Sequence, residues 1–340
     1  VLDARIPYGR NAFRQYLGYK PPKHVTVKAA QMLAGNALTR ARRVREEDGA
    51  MHVVGLSCTA TIITDRPKKG EHRAHIATWT SERVTSYSIY LTKGARDRDG
   101  EEDVVSRIML NALAEAFGLE ERIAVPLLAD EEIETKIYDF VGAAQRLLNG
   151  KVKFVGVYDH GRIRYSGINP QVLMPGSFDP LHQGHLGLME TAIEMTDKPV
   201  AFEVSAYNVD KPPLEQEVIL DRLAQFAGRQ PVYITNAPTF LEKARLFPET
   251  TFVVGYDTAV RILAPRYYND SQEEMLAALQ EMQDQQCHFL VAGRANKEGE
   301  FFPATDLEIP AGFESLFTPI PSEKFRRDIS STEIRAQRGR

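Results

Sequence analysis

The chain has 340 residues, of which 43% are hydrophobic and 26% charged, as in globular proteins that fold in water. That length favours two domains. The net charge of −4 gives no basic bias towards nucleic acid, and no apolar run is long enough to indicate a membrane partner. Cys58 and Cys287 lie far apart outside any metal-ligand spacing, which excludes a disulfide scaffold and a zinc knuckle. We therefore expect a reducing, cytoplasmic compartment.

The first 120 residues predict a small α/β domain. Apolar residues at helical intervals indicate a helix over residues 25–45, and residues 104–117 indicate a second one that ends at Gly118. Between them, apolar or alternating runs bounded by turn residues predict strands over 51–56, 73–80 and 84–91.

Residues 121–168 are predicted to connect two domains. They comprise a helix from about Glu131 to Leu148 and two strand-like runs, 151–158 and 162–168, joined by the hairpin turn Asp159-His160-Gly161. Helix and strand patterns alternate over residues 169–340, which predicts a doubly wound parallel sheet.

The sharpest motif spans Gly176 to His185 and reads Gly-Ser-Phe-Asp-Pro-Leu-His-Gln-Gly-His. It follows the strand-like Val172-Leu173-Met174 and precedes a predicted helix, so it lies where open α/β sheets bind ligands and where a helix N-terminus favours an anion. His182 and His185 fall on one side of the first helical turn, and Gly184 leaves room for a phosphate. The motif predicts a phosphate site with two imidazole donors.

Three further segments are candidate ligand contacts. Residues 328–335 (Asp-Ile-Ser-Ser-Thr-Glu-Ile-Arg) form a helix-cap pattern whose hydroxyls and Arg335 could face a polyphosphate. Gly255 and Asp257 end the buried run Phe-Val-Val and could contact a nucleoside. Lys211, held between a predicted strand and two prolines, could bind a second phosphate.

Together, the Gly176–His185 motif and the Ile-Ser-Ser-Thr-Glu-Ile-Arg segment resemble the nucleotidylyltransferase superfamily over residues 170–338, most closely its nicotinamide and nicotinate mononucleotide adenylyltransferases. The resemblance implies a Rossmann-like fold, ATP carried with Mg²⁺, a phosphorylated small-molecule acceptor and a step of NAD biosynthesis. It implies that His182, His185 and Arg335 are catalytic and that Lys211 binds the acceptor phosphate. The nucleotide-binding set it implies is Gly176, Ser177, Phe178, Gly184, Gly255, Asp257, Ser330, Ser331 and Thr332.

The order of elements in residues 1–120 is similar to the C-terminal domain of competence-damage-inducible proteins, the nicotinamide-nucleotide amidase family. Two departures lead us to expect an N-terminally truncated domain without amidase activity. The family's Ser-Cys-Thr-Gly-Gly nucleophile segment would lie upstream of Val1, and its glycine-rich loop is replaced by residues 58–65.

The candidate residues supply phosphate donors but no serine triad, activated cysteine or metal-holding carboxylate cluster. A phosphate nucleophile is already largely ionised at pH 7 and needs no general base. The expected reaction is in-line transfer from ATP to a mononucleotide, with a CTP-dependent cytidylyltransferase and a catalytically silent, nucleotide-binding regulatory protein as alternatives. The sequence is also compatible with association into a homo-oligomer. Arg66, Lys68, Lys69, His72 and His75 form a basic cluster, for which a solvated loop is the simpler interpretation.

Overall fold

The computed structural model describes residues 1–18, 21, 23–44, 52–65, 69–167, 169–207, 212–295 and 301–326. The chain divides into two compact units. The first contains Val1–Gln145, Val157–Ile163 and Leu223–Gln230, and the second contains Arg146–Gly156, Arg164–Arg222 and Pro231–Arg340. The boundaries expected from the sequence, 1–120, 121–168 and 169–340, stay a prediction.

The first unit is built on an antiparallel sheet with strand order β1-β2-β3-β4. The strands are β1 (Gly55–Thr61), β2 (His72–Trp79), β3 (Arg83–Leu91) and β4 (Glu134–Asp139); the helices are α1 (Arg10–Leu17), α2 (Val27–Val44) and α3 (Arg98–Ala116). Apolar side chains of α3, including Val104 and Ile108, pack on Ile76 and Ile89 of the sheet. On the other face, the Ser57 hydroxyl donates to the Ala30 carbonyl of α2 at 2.5 Å.

Two predictions for this unit were wrong. The strand predicted over 51–56 begins only at Gly55 and continues to Thr61, so Cys58 and Thr59 lie in β1 and not in a loop. The helix predicted from Glu131 begins at Phe140 as α4 (Phe140–Leu148), because residues 134–139 pair with β3 as β4. That pairing comes from residues about 50 positions away, which local periodicity does not reveal.

The second unit confirms the predicted doubly wound α/β fold. Among the described residues, eight strands form one sheet in the order β14-β11-β10-β7-β8-β9-β5-β6, and the six from β14 to β9 are parallel. Its strands are β5 (Phe154–Val157), β6 (Ile163–Arg164), β7 (Val172–Pro175), β8 (Val200–Ser205), β9 (Val232–Thr235), β10 (Thr251–Gly255), β11 (His288–Ala292) and β14 (Phe317–Pro319). The connecting helices are α5 (Gln183–Thr196), α6 (Gln216–Ala224), α7 (Phe240–Leu246), α8 (Tyr256–Ile262) and α9 (Gln272–Asp284), and β12 (Arg294–Ala295) pairs with β13 (Phe301–Phe302).

The core of the second unit fixes where its strands end. Phe252 and Phe289 stack in the middle of the sheet, with ring centroids 5.7 Å apart, and helices α7, α8 and α9 cover them with Ala244, Ala259 and Met275. Parallel strands packed in this way place their carboxyl ends, and the turns that follow them, at one edge. No helix in the described part of the chain is long and apolar enough to cross a bilayer.

Candidate active site at the carboxyl edge of the second sheet

The turn after β7 depends on a glycine packed beside a buried aromatic ring. The Gly176 N–H donates to the Glu203 carbonyl of β8 at 2.9 Å, and a Cβ at position 176 would lie only 2.7 Å from Cζ of Phe178. Phe178 has a φ of 43° and is 1% exposed. Only glycine at position 176 leaves room for the Phe178 ring. The chain turns from β7 towards α5 at this point.

His182 and His185 lie at the start of α5, which begins at Gln183. His182 is the N-cap, and its Nδ1 accepts the N–H of Gly184 at 3.2 Å. Nδ1 of His185 accepts the N–H of His182 at 3.3 Å. Because a neutral imidazole has one acceptor and one donor nitrogen, both rings carry their proton on Nε2.

The environment of the two rings keeps them neutral. Their centroids are 3.7 Å apart in a stacked arrangement, where two positive charges would repel each other. Burial, with a smaller contribution from neighbouring His182, lowers the pKa of His185 to about 3, and burial also lowers the pKa of His182. Both shifts favour the neutral form of the rings, in which each offers one N–H donor to an anion.

Three contacts hold this turn in place. The Phe178 ring meets His185 edge-on at 4.9 Å and Phe202 of β8 at 5.1 Å. The Arg222 guanidinium of α6 pairs with the Asp179 carboxylate at 2.9 Å. Phe178, predicted to contact nucleotide, thus lies beneath His185 in the core, whereas Ser177 is exposed.

The structure brings the β10 turn to the same edge of the sheet, because β10 is the parallel neighbour of β7. Gly255 caps α8 and is exposed, with no atom within 4 Å of the position a Cβ would take. Asp257, in the first turn of α8, pairs with Arg294 of β12, and both side chains are about half exposed. Sequence reasoning missed Arg294, since only the fold places it beside Asp257.

The other predicted site residues, Lys211, Ser330, Ser331, Thr332 and Arg335, lie outside the described residues. The chain leading to the last four is described as far as Arg326, whose guanidinium lies 5.0 Å from the centroid of the Phe301 ring. Two residues earlier, Lys324 pairs with Glu194 of α5. The segment before the second motif thus runs beside the helix that begins with the histidines.

A buried ion pair next to this turn was also missed. Glu203 of β8 and Lys243 of α7 are 1% and 3% exposed. The Lys243 ammonium donates to Glu203 Oε1 at 2.7 Å, to the Ser205 hydroxyl at 2.5 Å and to the Ala237 carbonyl at 2.7 Å. Thr235 of β9 donates to the same carboxylate oxygen at 2.5 Å. These bonds join the ends of β8 and β9. The sequence signal that could have indicated the ion pair is a glutamate among the apolar residues of β8.

This fold and this edge define a Rossmann-type α/β unit with two histidines at the start of the helix that follows β7. Residues 173–337 match the family model described as Cytidylyltransferase-like. The matched range begins within β7 and includes the second motif, residues 328–335. This segment has a cytidylyltransferase-like fold, and the match supports nucleotidyl transfer as its reaction class. Comparison of the chain with curated proteins finds no significant match. Because the family match begins at residue 173, the amidase-like resemblance of the N-terminal part stays a prediction.

Proposed function

We propose that the second unit is an adenylyltransferase. It would transfer the adenylyl group of ATP to the phosphate of nicotinamide or nicotinate mononucleotide, releasing pyrophosphate. An oxygen of the acceptor phosphate forms a bond to the α-phosphorus of ATP while the bond from that phosphorus to the bridging oxygen of pyrophosphate breaks. The acceptor phosphate is already largely ionised at neutral pH, so the protein need only align it and stabilise the negative charge on the α-phosphate.

The observation that carries this proposal is the pair of neutral imidazoles at the start of α5. Both Nδ1 atoms accept backbone N–H groups, so each Nε2–H is held by the helix itself as a donor. Preorganised donors of this kind stabilise developing charge without reorganising during the reaction. We assign His182 and His185 to the α-phosphate.

The other predicted site residues would contact the remaining parts of the two substrates. Gly255 and Asp257 would contact the nucleoside, since their turn ends the strand next to β7. Lys211 would bind the acceptor phosphate, and Ser330, Ser331, Thr332 and Arg335 the triphosphate tail. Mg²⁺ would arrive on the β- and γ-phosphates of the nucleotide, and we assign it no protein ligands. A cytoplasmic location, where ATP and mononucleotides occur, is part of the proposal.

The description of the matching family favours one rival, a CTP-dependent cytidylyltransferase that acts on a small phosphorylated acceptor. A pyrophosphate-release assay of ATP and CTP against nicotinamide mononucleotide, nicotinate mononucleotide and glycerol phosphate separates the two. Nicotinamide riboside is the matched control, because it lacks only the nucleophilic phosphate. We expect release with ATP and a mononucleotide and none with the riboside. Release with CTP and glycerol phosphate alone would establish the rival.

A further inference from the structure

Helix α6 holds the turn between β7 and α5 through an arginine. One terminal nitrogen of the Arg222 guanidinium lies 2.9 Å from the Asp179 carboxylate, and the other lies 3.6 Å from the carboxylate of Asp221. We propose that Arg222 is a positioning residue for the transfer, which acts through Asp179 to fix the turn that directs His182 and His185 at the α-phosphate. This inference rests on the function proposed above.

The exposure of the two partners indicates what the ion pair does. The Arg222 side chain is 15% exposed, whereas that of Asp179 is 43% exposed. An ion pair that is open to water on one side contributes little to stability, because solvent screens the charges. Ordering a long arginine side chain also costs conformational entropy. The pair therefore does less to stabilise the fold than to fix the position of Asp179.

The residue before Asp179 has a backbone conformation that needs such support. Phe178 has a φ of 43°, in a region that residues other than glycine rarely occupy and keep only where their surroundings hold them. Its ring meets the His185 imidazole edge-on, with the centroids 4.9 Å apart. If Asp179 were released, the backbone at Phe178 would relax towards a common conformation, and the ring that supports His185 would move with it.

The residues after Asp179 are equally sensitive to a shift of the turn. His182, three residues further on, is the N-cap of α5. The two bonds that fix the imidazoles, from the Gly184 N–H to His182 and from the His182 N–H to His185, are 3.2 and 3.3 Å long. Both lie at the long end of the usual range, so a small displacement breaks them. A misplacement of about 1 Å can cost about 10² in rate.

A direct contact with the nucleotide is the other role that an arginine at this edge could have. The geometry favours the role through Asp179, because both terminal nitrogens of Arg222 face carboxylates and little of the side chain is open to a ligand. The two roles make different predictions. Replacing a positioning arginine has no further effect once Asp179 is absent, whereas replacing a ligand-binding arginine weakens nucleotide binding with or without Asp179.

A double-mutant cycle in the full chain separates these roles. Arg222→Met keeps an apolar stem and removes the guanidinium, and Asp179→Ala removes its partner. Each should lower kcat about 10–100-fold with less than about a threefold change in KM for ATP, and the double variant should be no slower than Arg222→Met. Arg222→Lys keeps a cation and should restore part of kcat. Arg245→Met, which removes a surface ion pair with Glu281, is the matched control and should leave kcat unchanged.

The histidine rings give a readout that does not require transfer activity. Ligand-free protein with ¹⁵N-labelled histidine rings should show both imidazoles protonated on Nε2, with the resonances assigned by their loss in His182→Asn and His185→Asn. The resonances should shift in Arg222→Met and in Asp179→Ala, because the turn loosens, and they should stay in place in the Arg245→Met control. Urea unfolding midpoints should be nearly unchanged in all of these ion-pair variants.

Three results would overturn the positioning role of Arg222. They are unchanged histidine resonances in both Arg222→Met and Asp179→Ala, effects on kcat that add in the double variant, and a kcat that falls only in proportion to the folded fraction. A KM for ATP that rises in Arg222→Met but not in Asp179→Ala would establish direct nucleotide contact in its place. If the wild-type chain transfers no nucleotide but the resonances shift in both variants, the proposed function fails and the positioning of the histidines by Arg222 stands.

Discussion

The chemistry of the site depends on which nitrogen of each imidazole carries the proton. Histidines near a phosphate are readily assumed to be cationic, but here backbone N–H groups occupy Nδ1 of His182 and of His185. Burial of the stacked rings disfavours a charge on either. Two neutral donors can stabilise an anionic transition state without binding the anionic ground state as tightly as two cations would.

Two substitutions of His185 separate its backbone contact from its donor. An asparagine oxygen can accept the His182 N–H in place of Nδ1 but leaves no donor at the position of Nε2. His185→Asn should therefore lower kcat about 10²–10³-fold, with the variant still folded at the assay temperature. His185→Gln, whose amide N–H reaches about as far as Nε2, should lose less activity. Steady-state kinetics and thermal unfolding check both, and a kcat above one third of wild type in His185→Asn would rule out a catalytic His185.

The same ring predicts an unusual titration. Because burial and neighbouring His182 lower the pKa of His185 to about 3, the native ring stays neutral from about pH 8 to pH 5, whereas in the unfolded chain it takes up a proton near pH 6.5. His185 thus contributes stability that is complete above about pH 6.5 and is lost as the pH falls from there towards 3.

NMR of the His185 ring checks this titration directly. The native resonance should not move between about pH 8 and pH 5, and the urea-unfolded protein serves as the control that does titrate. A native midpoint near 6.5 would contradict the burial of this ring.

At the scale of the elements, the site depends on where neighbouring strands end. Glu203 contacts the turn after β7 through its backbone carbonyl and α7 through its carboxylate. Lys243 uses all three of its ammonium protons within the same cluster. The buried ion pair thus joins the ends of β8 and β9 to the turn between β7 and α5, which leads to the two histidines.

Replacing one partner of this ion pair should lower the free energy of unfolding far more than replacing both partners. Lys243→Met leaves Glu203 buried and unpaired and should lower the free energy of unfolding by about 3–5 kcal/mol. The double variant Glu203→Gln/Lys243→Met should recover most of that loss. Urea unfolding measures both, with Lys198→Met, an exposed lysine between α5 and β8, as the control. A double variant as unstable as Lys243→Met would mean that the two side chains are not coupled.

The sequence predicts those elements whose determinants are local. The β7 strand, its glycine turn and the α5 cap are consecutive in the chain, so their order alone places His182 and His185. The partner of Glu203 lies 40 residues away on α7 and depends on how that helix packs against the sheet. Strand β4 depends in the same way on pairing with β3. The tautomers of the two histidines depend on hydrogen-bond geometry that no residue pattern specifies.

At the scale of the whole molecule, the eight-stranded sheet extends beyond the segment that carries the motifs. Strand β5 is the neighbour of β9. Asn236, which follows β9, donates through its backbone N–H to the Lys153 carbonyl at 3.0 Å and through its side chain to the Leu147 carbonyl at 2.8 Å. A fragment that begins near residue 170 would lose these partners.

Two fragments test how much of the chain this sheet needs. A protein of residues 167–340 lacks β5 and β6 and would expose the edge of β9, which favours aggregation. A protein of residues 146–340 retains both strands and should be more soluble and more stable. Size-exclusion chromatography and circular dichroism compare them. If the shorter fragment is monomeric and as stable as the longer one, β5 and β6 are dispensable for the sheet.

The central claim is that the edge formed by β7, α5 and β10 transfers a nucleotidyl group, and position-specific labelling tests it most directly. The purified chain is incubated with a mononucleotide acceptor and ATP carrying ³²P in either the α- or the γ-phosphate, and the products are separated. We predict that the α-label appears in the dinucleotide, that the γ-label appears only in pyrophosphate, and that His185→Asn nearly abolishes both. The γ-label in the acceptor product would show phosphoryl transfer instead. The absence of any α-labelled product with ATP and likewise with α-labelled CTP, across the acceptor panel, would contradict nucleotidyl transfer at this site.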